Sequence, residues 1–372
     1  MPVYIGNNSI ARGVKSVYAG VNGVSRNVKA AYVGVNGVAR KIWPVNLSGN
    51  GTYMAIASSG APYLLLYKRS GDSYQKLPNP STLPTSLCRG VTFSPSGDYL
   101  AAVDNASPYL LLYKRGGDTF TKLPNPSSLI PGNGWASAFS PDGDYLAVAH
   151  EISPYITVYK RGGDTFTKLA NVTPTLPSGI CHDCCWSPDG VYLAVAIDTS
   201  PYVAVYKRSG DTFTRLSNPD VLPRANAYGC MFSADGAHLV IVNNVDAPYM
   251  KIYKRNGDAF TKLADPDVMP TGISFGCAYS PDGQHLAVVH NISPYLTIWK
   301  RTGDVYTALP SPADLPGQYC RRCGYSSNGR FFMIAHNYDP FVSIYERYGD
   351  TYTKLASPDV LPTGIAWCVA MT

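Results

Sequence analysis

Residues 135–169 read WASAF-SPDGD-YLAVAH-EISP-YITVY-KRGGD-TFTKL, and the fold follows from this stretch. A short apolar segment, 135–139, leads into a Ser-Pro-Asp-Gly turn. The segments 145–149 and 155–159 come next, and the second of them alternates with the two-residue period of a β-strand. A Gly-rich hairpin turn then connects to the last segment, 165–169. The stretch therefore predicts four short antiparallel strands joined by tight turns.

The same pattern recurs along the chain about every 46 residues. A Pro-Tyr pair, which becomes Pro-Phe in the last copy, marks seven units at Pro62, Pro108, Pro154, Pro201, Pro248, Pro294 and Pro340. Ser-Pro-Asp-Gly turns and their variants keep the same spacing. Four antiparallel strands in each repeat of this length are typical of a β-propeller blade. The sequence therefore predicts an all-β, seven-bladed β-propeller over residues 46–372.

The end of the chain is predicted to close the ring. Residues 355–365 copy residues 263–273, which lead into an innermost strand in their own unit. The segment 366–371 should therefore supply the innermost strand of the first blade, beside residues 52–57. Such closure pairs the strand edges that an open ring would expose.

Over residues 48–372 the spacing and the Ser-Pro-Asp-Gly turns resemble the WD-repeat proteins and related bacterial seven-bladed propellers. The Trp-Asp pair of that family is replaced by pairs such as Tyr113-Lys114 and Trp299-Lys300, and its Gly-His pair is missing. The resemblance implies the architecture alone, because this fold carries many unrelated functions.

A different repeat, with a period of 14, occupies residues 1–45. Its recurring tyrosines and arginines are Tyr4, Arg12, Tyr18, Arg26, Tyr32 and Arg40. The Asn-Gly pairs between valines predict β-hairpins with two-residue turns. The segment holds six basic and no acidic residues, so it accounts for the whole formal net charge of +6. We expect a basic hairpin module that orders against copies of itself, the propeller or a larger assembly, since small hairpins are marginally stable alone.

The pattern Tyr-x-Gly-Val-Asn-Gly-Val-Ala-Arg-Lys within residues 3–43 resembles a segment of structural and tail proteins of bacteriophages and prophages. The resemblance implies a virion protein, with residues 1–45 binding other virion proteins of the tail, baseplate or capsid, or forming a homo-oligomer. The chain starts without the apolar stretch of a signal peptide, and no apolar run is long enough to cross a bilayer. We therefore expect synthesis in the host cytoplasm, no membrane insertion and a location in the virion.

The candidate binding face is the one opposite the Lys-Arg-x-Gly-Asp turns, because its loops differ between blades. In those turns, each Lys-Arg pair is expected to lie near its own Asp as a solvated ion pair. The candidate residues of the variable face are Arg89, Asp104, Trp135, His150, His182, Asp183, Tyr228, Phe275, His290, Arg321, Arg322, His336 and Trp367. Aromatic rings among polar side chains suit a glycan or a protein surface, and ordinary polar loops are the alternative.

The chain is accordingly predicted to be a non-enzymatic virion protein that presents this face to a host-surface glycan or protein. No cofactor or metal is predicted, because the thiols at 181–185 and 320–323 lie nearly across the ring from each other. The widely spaced basic residues argue against nucleic-acid binding. Two alternatives remain. One is a lactonase-like or lyase-like enzyme with a channel-mouth site that includes His182 and Asp183, and the other is a cytoplasmic scaffold for protein partners.

Overall fold

The computed structural model describes residues 18–21, 24–27, 31–35, 38–42, 52–170, 175–245 and 247–372. The chain divides into two units, residues 1–48 and 49–372. No helix in the described part of the chain is long and apolar enough to span a bilayer.

The described residues of the first unit form two antiparallel hairpins. Strand β1 (Tyr18–Val21) pairs with β2 (Val24–Asn27), and β3 (Ala31–Val35) pairs with β4 (Val38–Ile42). The predicted module residues Tyr18, Arg26, Tyr32 and Arg40 belong to these strands. The predicted first hairpin, with Tyr4 and Arg12, lies outside the described residues.

The second unit is a seven-bladed propeller of four-stranded antiparallel sheets, which confirms the predicted fold. The innermost strands are β8 (Cys88–Phe93), β12 (Gly134–Phe139), β16 (Cys181–Trp186), β20 (Ala227–Phe232), β24 (Ser274–Tyr279), β28 (Cys320–Tyr325) and β32 (Ala366–Met371). The second strands are β5 (Tyr53–Ser58), β9 (Tyr99–Asp104), β13 (Tyr145–His150), β17 (Tyr192–Ile197), β21 (His238–Asn243), β25 (His285–His290) and β29 (Phe331–His336).

The third strands are β6 (Leu64–Ser70), β10 (Leu110–Gly116), β14 (Ile156–Gly162), β18 (Val203–Ser209), β22 (Met250–Asn256), β26 (Leu296–Thr302) and β30 (Val342–Tyr348). The outer strands are β7 (Ser73–Lys76), β11 (Thr119–Lys122), β15 (Thr165–Lys168), β19 (Thr212–Arg215), β23 (Ala259–Lys262), β27 (Val305–Ala308) and β31 (Thr351–Lys354). We number the blades 1 to 7 by their second strands, from β5 to β29.

Strand β32 pairs with β5 and completes blade 1, so the predicted closure by the C-terminal strand is confirmed. Val369 lies opposite Ile56 in this ladder. At its end, the Tyr53 backbone N–H donates to the Thr372 hydroxyl at 3.2 Å. The first and last parts of the propeller are therefore held in one sheet.

The apolar cores lie between neighbouring blades. The second strand of a blade is buried on both faces because a neighbouring blade packs against each of them, as β13 shows along its whole length. Its Leu146 packs with Leu112 of blade 2, whereas its Ala147 packs with Leu193 of blade 4. This explains why the second strands are nearly continuous apolar runs instead of alternating segments.

The Lys-Arg-x-Gly-Asp turns connect neighbouring blades, and the expectation that each Lys pairs with its own Asp is wrong. Lys160 of blade 3 donates to Asp211 of blade 4 at 2.8 Å, and the Tyr145 hydroxyl donates to the same carboxylate at 2.5 Å. The Lys–Asp contact recurs at six junctions between blades. At the seventh junction, between blades 7 and 1, Phe331 and Glu346 occupy the Tyr and Lys positions.

Candidate functional site

Every innermost strand begins with a β-bulge, and the extra residue is the second residue of the strand. In blade 2, Cys88 pairs with Asp104 and Gly90 pairs with Val103, which leaves Arg89 outside the ladder. The same shift isolates one residue in each of the other blades, namely Trp135, His182, Tyr228, Phe275, Arg321 and Trp367. A bulge re-aims the side chain it carries. Each blade therefore contributes one side chain to a shared site at the mouth of the central channel.

These seven side chains and Tyr319 contact each other in a closed ring, which we call the mouth ring. In order around the channel, its members are Arg89, Trp135, His182, Tyr228, Phe275, Tyr319, Arg321 and Trp367. The guanidinium carbon of Arg89 lies 3.8 Å from the ring centre of Trp135, and that of Arg321 lies 3.8 Å from Trp367. Two cations are thus held flat against indole rings.

The sequence did not predict Tyr319 as a site residue, because the position of its side chain depends on an unusual backbone conformation. Its φ is +55°, a value that is unusual for a bulky residue. Its ring stacks on Phe275 with centroids 5.2 Å apart. Blade 7 reads Pro-Gly-Gln-Tyr where blade 6 reads Pro-Thr-Gly-Ile, so the glycine is displaced by one position. A Cβ on Gly317 would lie 2.4 Å from the His336 ring, so that position requires glycine.

A partly buried ion pair closes the floor beneath the mouth ring. Arg322 of blade 7 donates to the Asp183 carboxylate of blade 4 at 2.7 Å, and each side chain is 18% exposed. Asp183 also accepts the backbone N–H groups of Cys184 at 3.0 Å and Cys230 at 3.1 Å. Arg322 makes a second bond, to the His182 carbonyl oxygen at 2.8 Å. Burial raises the pKa of Asp183, although the Arg322 guanidinium opposes this effect.

Glycines in the two intervening blades leave space for Arg322 to reach blade 4. A Cβ on Gly229 of blade 5 would lie 3.3 Å from the guanidinium, and one on Gly276 of blade 6 would lie 3.0 Å from the Arg322 Cα. The ion pair separates a pocket of about 260 Å³ at the mouth from a cavity of about 300 Å³ in the channel below. We call the upper space the mouth pocket.

The mouth pocket is cationic and aromatic. Its lining residues are Arg89, Trp135, Tyr228, Phe275, Tyr319, Arg321, Arg322 and Trp367. Of the three arginines, Arg322 alone has a carboxylate partner within 4 Å among the described residues. Burial lowers the pKa of Arg89, and burial lowers that of Arg321 with a further contribution from the neighbouring guanidiniums. The pocket therefore favours an anionic ligand with a surface that can stack on aromatic rings.

His182 lies in the wall of this site as a neutral imidazole. Its ring centre is 4.5 Å from that of Trp135 and 4.6 Å from that of Tyr228. The residue is 5% exposed, and its Nδ1 has no hydrogen-bond partner within the described chain. Burial lowers its pKa to about 3, helped by the positive charges of Arg322 and Arg89. At neutral pH this imidazole is therefore uncharged.

The structure separates the predicted site residues into two groups. Those brought together at the mouth, its wall and its floor are Arg89, Trp135, His182, Asp183, Tyr228, Phe275, Arg321, Arg322 and Trp367. The others were expected on the exposed loop face, and that placement is wrong: Asp104, His150, His290 and His336 are the last residues of second strands and are buried.

Those four buried side chains have internal partners. The imidazoles of His150, His290 and His336 bond to hydroxyl groups of the third strand, for example to Thr157 at 2.9 Å. Asp104 accepts the backbone N–H groups of Thr85 and Asn105. They therefore stabilise the blades instead of facing a ligand.

All nine cysteines lie in the described residues and are free thiols. Cys184 and Cys230 each contact a backbone carbonyl of the preceding blade, at 3.8 and 3.7 Å. Burial raises the pKa of both thiols well above the ordinary value. Among the residues that the structure describes, no cluster of His, Cys, Asp and Glu side chains is arranged to hold a metal ion.

Comparison with known proteins returns matches to solved structures. No protein-family model and no curated protein sequence matches this chain. A Lactobacillus plantarum protein superposes with a TM-score of 0.69 at 17% identity, covering 86% of this chain and 98% of its own. A Bacteroides uniformis protein, provisionally named a 6-phosphogluconolactonase, gives 0.68 at 15% identity, with coverages of 85% and 98%. The periplasmic gluconolactonase PpgL of Pseudomonas aeruginosa gives 0.65 at 18%, also with 85% and 98%. Similarity at these identities shows the propeller fold alone.

The comparisons contradict the expectation of a non-enzymatic virion protein. Two of these similar structures bear the names of lactonases, and no comparison supports the resemblance of residues 3–43 to bacteriophage proteins. The virion assignment, with tail attachment and host-receptor binding, is therefore wrong. The predicted binding partners of residues 1–45 stay a prediction that no comparison tests.

Proposed function

We propose that this protein hydrolyses a sugar lactone that carries an anionic group, and that the reaction takes place in the mouth pocket. The observation that carries the proposal is an aromatic-lined pocket with two guanidiniums, Arg89 and Arg321, that lack carboxylate partners within 4 Å among the described residues. The neutral imidazole of His182 packs against the Trp135 and Tyr228 rings of this pocket. The names of the similar structures point to the same class of substrate.

Each part of the site has a task in this reaction. Aromatic rings such as Trp135 and Phe275 stack on the C–H face of the sugar ring. One guanidinium binds the anionic group, and the other lies near the lactone carbonyl oxygen, where negative charge develops in the transition state. The Arg322–Asp183 pair closes the floor, so the substrate enters from the mouth. The pocket volume of about 260 Å³ suits a ligand of monosaccharide size.

The chemistry is addition of water to the lactone carbonyl carbon. His182 accepts a proton from the attacking water, and a guanidinium stabilises the tetrahedral oxyanion. The bond between the carbonyl carbon and the ring oxygen then breaks, and the imidazolium returns its proton to the departing ring oxygen. The product is an open-chain hydroxy acid, which loses one proton to solvent as it ionises.

Hydrolysis of glucono-δ-lactone and its 6-phosphate, followed by acid release with a pH indicator, tests the proposal. We expect the full chain to hydrolyse the phosphorylated lactone above the spontaneous rate. His182→Gln should lower kcat by about 10-fold, because a base with so low a pKa contributes less than the roughly 100-fold typical of a well-matched general base. Arg330→Gln is the matched control, since it removes a pair with Glu346 at the opposite end of the propeller. Spontaneous rates alone for both lactones would refute the proposal.

The pH profile provides a separate prediction. An imidazole with a pKa of about 3 stays neutral, and so able to accept a proton, throughout the range from pH 5 to 8. After subtraction of spontaneous hydrolysis, kcat should therefore be nearly flat over this range and fall only in stronger acid. An ordinary exposed histidine would instead lose activity below about pH 6.5. A kcat that halves near pH 6.5 would rule out this environment for the base.

A further inference from the structure

Two consecutive arginines of blade 7 lie in opposite electrostatic environments. The charge of Arg322 is balanced by the Asp183 carboxylate at 2.7 Å. Arg321 has no carboxylate within 4 Å among the described residues, and its Nε donates to the Asn337 amide oxygen at 2.5 Å. A neutral acceptor thus orients the Arg321 guanidinium, which faces the pocket. The Asp183 carboxylate balances the charge of the Arg322 guanidinium in the floor.

The contact between Asn337 and an arginine is specific to blade 7. Asn337 is the first residue after β29, and asparagine occupies the same place in blades 2, 5 and 6. In blade 2, neither the Oδ1 of Asn105 nor the Nε of Arg89 has a hydrogen-bond partner among the described residues. Within the described part of the chain, the Oδ1 of Asn291 in blade 6 has no hydrogen-bond partner, and Asn244 in blade 5 donates to the Tyr228 hydroxyl at 3.3 Å. Blade 7 therefore uses a common loop residue for a task that the corresponding asparagines of blades 5 and 6 do not share.

The position of Arg321 is defined on three sides. Trp367 lies 3.8 Å from its guanidinium carbon, and Tyr319 lies 5.3 Å away. Asn337 accepts the hydrogen bond from the Arg321 Nε, so the remaining N–H groups of the Arg321 guanidinium are available to other acceptors. The rotamer is therefore fixed before a ligand arrives, which reduces the entropy lost on binding.

The cationic pocket also contains internal repulsion. The guanidiniums of Arg322 and Arg89, together with burial, lower the pKa of Arg321. An anion near Arg321 relieves this repulsion and gains charge-assisted hydrogen bonds. A carboxylate at position 337 would orient Arg321 equally well but would cancel the charge that attracts the ligand. An amide gives orientation without neutralisation.

We propose that Asn337 is a positioning residue that holds Arg321 as an uncompensated cation, and that Arg321 selects the anionic group of the ligand, a phosphate or a carboxylate. The identity of the ligand as a lactone rests on the proposed function, whereas the anion site depends only on these contacts. Both residues lie outside the water-activating step assigned to His182.

The experiment compares Asn337→Asp and Asn337→Ala with Asn291→Ala, the same change in blade 6. For each full-length variant, kcat and KM are measured with glucono-δ-lactone and with its 6-phosphate, and binding of inorganic phosphate and of gluconate is measured by calorimetry. We expect Asn337→Asp to keep the melting temperature but to raise KM for the phosphorylated lactone at least 10-fold, with KM for the neutral lactone changed less than 2-fold. Asn337→Ala should raise the same KM by a smaller factor, and Asn291→Ala should match the wild type.

The outcomes separate this inference from the proposed function. Phosphate binding that is lost in Asn337→Asp, in a protein that hydrolyses neither lactone, would support the anion site and refute the lactonase. Lactone hydrolysis with unchanged selectivity in Asn337→Asp would overturn the inference and leave the proposed function intact. Calorimetry with phosphate and gluconate identifies which anion the site prefers.

Discussion

Replacing Arg322 with alanine is expected to lower the free energy of unfolding by about 3 kcal/mol, the lower end of the range for fully buried pairs, because it leaves a partly buried carboxylate without its counter-charge. Asp183 would keep its two backbone N–H donors but lose the guanidinium at 2.7 Å. Urea unfolding of wild type and variant measures the difference. Since stabilities of folded proteins lie near 5–15 kcal/mol, the loss would be a large part of the total.

A double variant separates the effect of the two charges on stability from the effect of side-chain packing. Arg322→Met combined with Asp183→Asn removes both charges, and it should cost less than Arg322→Ala alone. The pH dependence gives a second check. In Arg322→Ala, burial would raise the pKa of Asp183 further above its unfolded value, opposed only by the two backbone N–H groups, so the folded state would bind the proton more tightly. The variant should then be less destabilised at pH 5 than at pH 8, and equal destabilisation at both would contradict a charged Asp183 in the floor.

Deleting residues 366–372 should abolish cooperative folding of the propeller. The deletion removes the whole ladder between β32 and β5. Net contributions of about 1 kcal/mol for each backbone hydrogen bond and about 1.5–3 kcal/mol for burial of Val369 add up to much of a typical stability. It also removes Trp367, so the mouth ring opens between Arg321 and Arg89. Circular dichroism and thermal melting of the truncated chain measure the result.

Peptide complementation distinguishes loss of the strand from a general failure to fold. A synthetic peptide of residues 355–372, added during refolding, should restore the melting transition because it can pair with the exposed edge of β5. A peptide of the same composition in scrambled order is the control. A truncated chain that melts at the wild-type temperature would show that closure of the ring contributes little to stability.

The architecture was predictable because its signals are local and repeated. The Ser-Pro-Asp-Gly turns and the Pro-Tyr pairs give the number of blades, and the copy of 263–273 at 355–365 gives the closing strand. The partners of the Lys-Arg-x-Gly-Asp turns were not predictable, because Lys160 and Asp211 belong to different repeats. A single repeat shows which residues turn the chain but not which neighbour each of them contacts.

The site was partly predictable for the same reason. Comparison of the seven repeats located the bulge positions, although not the bulge itself. His150 resembled the start of a loop but is the buried end of β13, an error of one residue that reverses its exposure. Tyr319 depends on one backbone angle, and the Arg322–Asp183 contact joins residues 139 positions apart, so neither could be derived from spacing.

The seven bulges make the mouth unusually open to redesign. Because each of the seven bulge residues lies outside the hydrogen-bond ladder, exchanging its side chain leaves the strand register unchanged. A combinatorial library over the bulge positions would therefore generate many chemically distinct receptors on one scaffold, because each repeat supplies one position that can be varied.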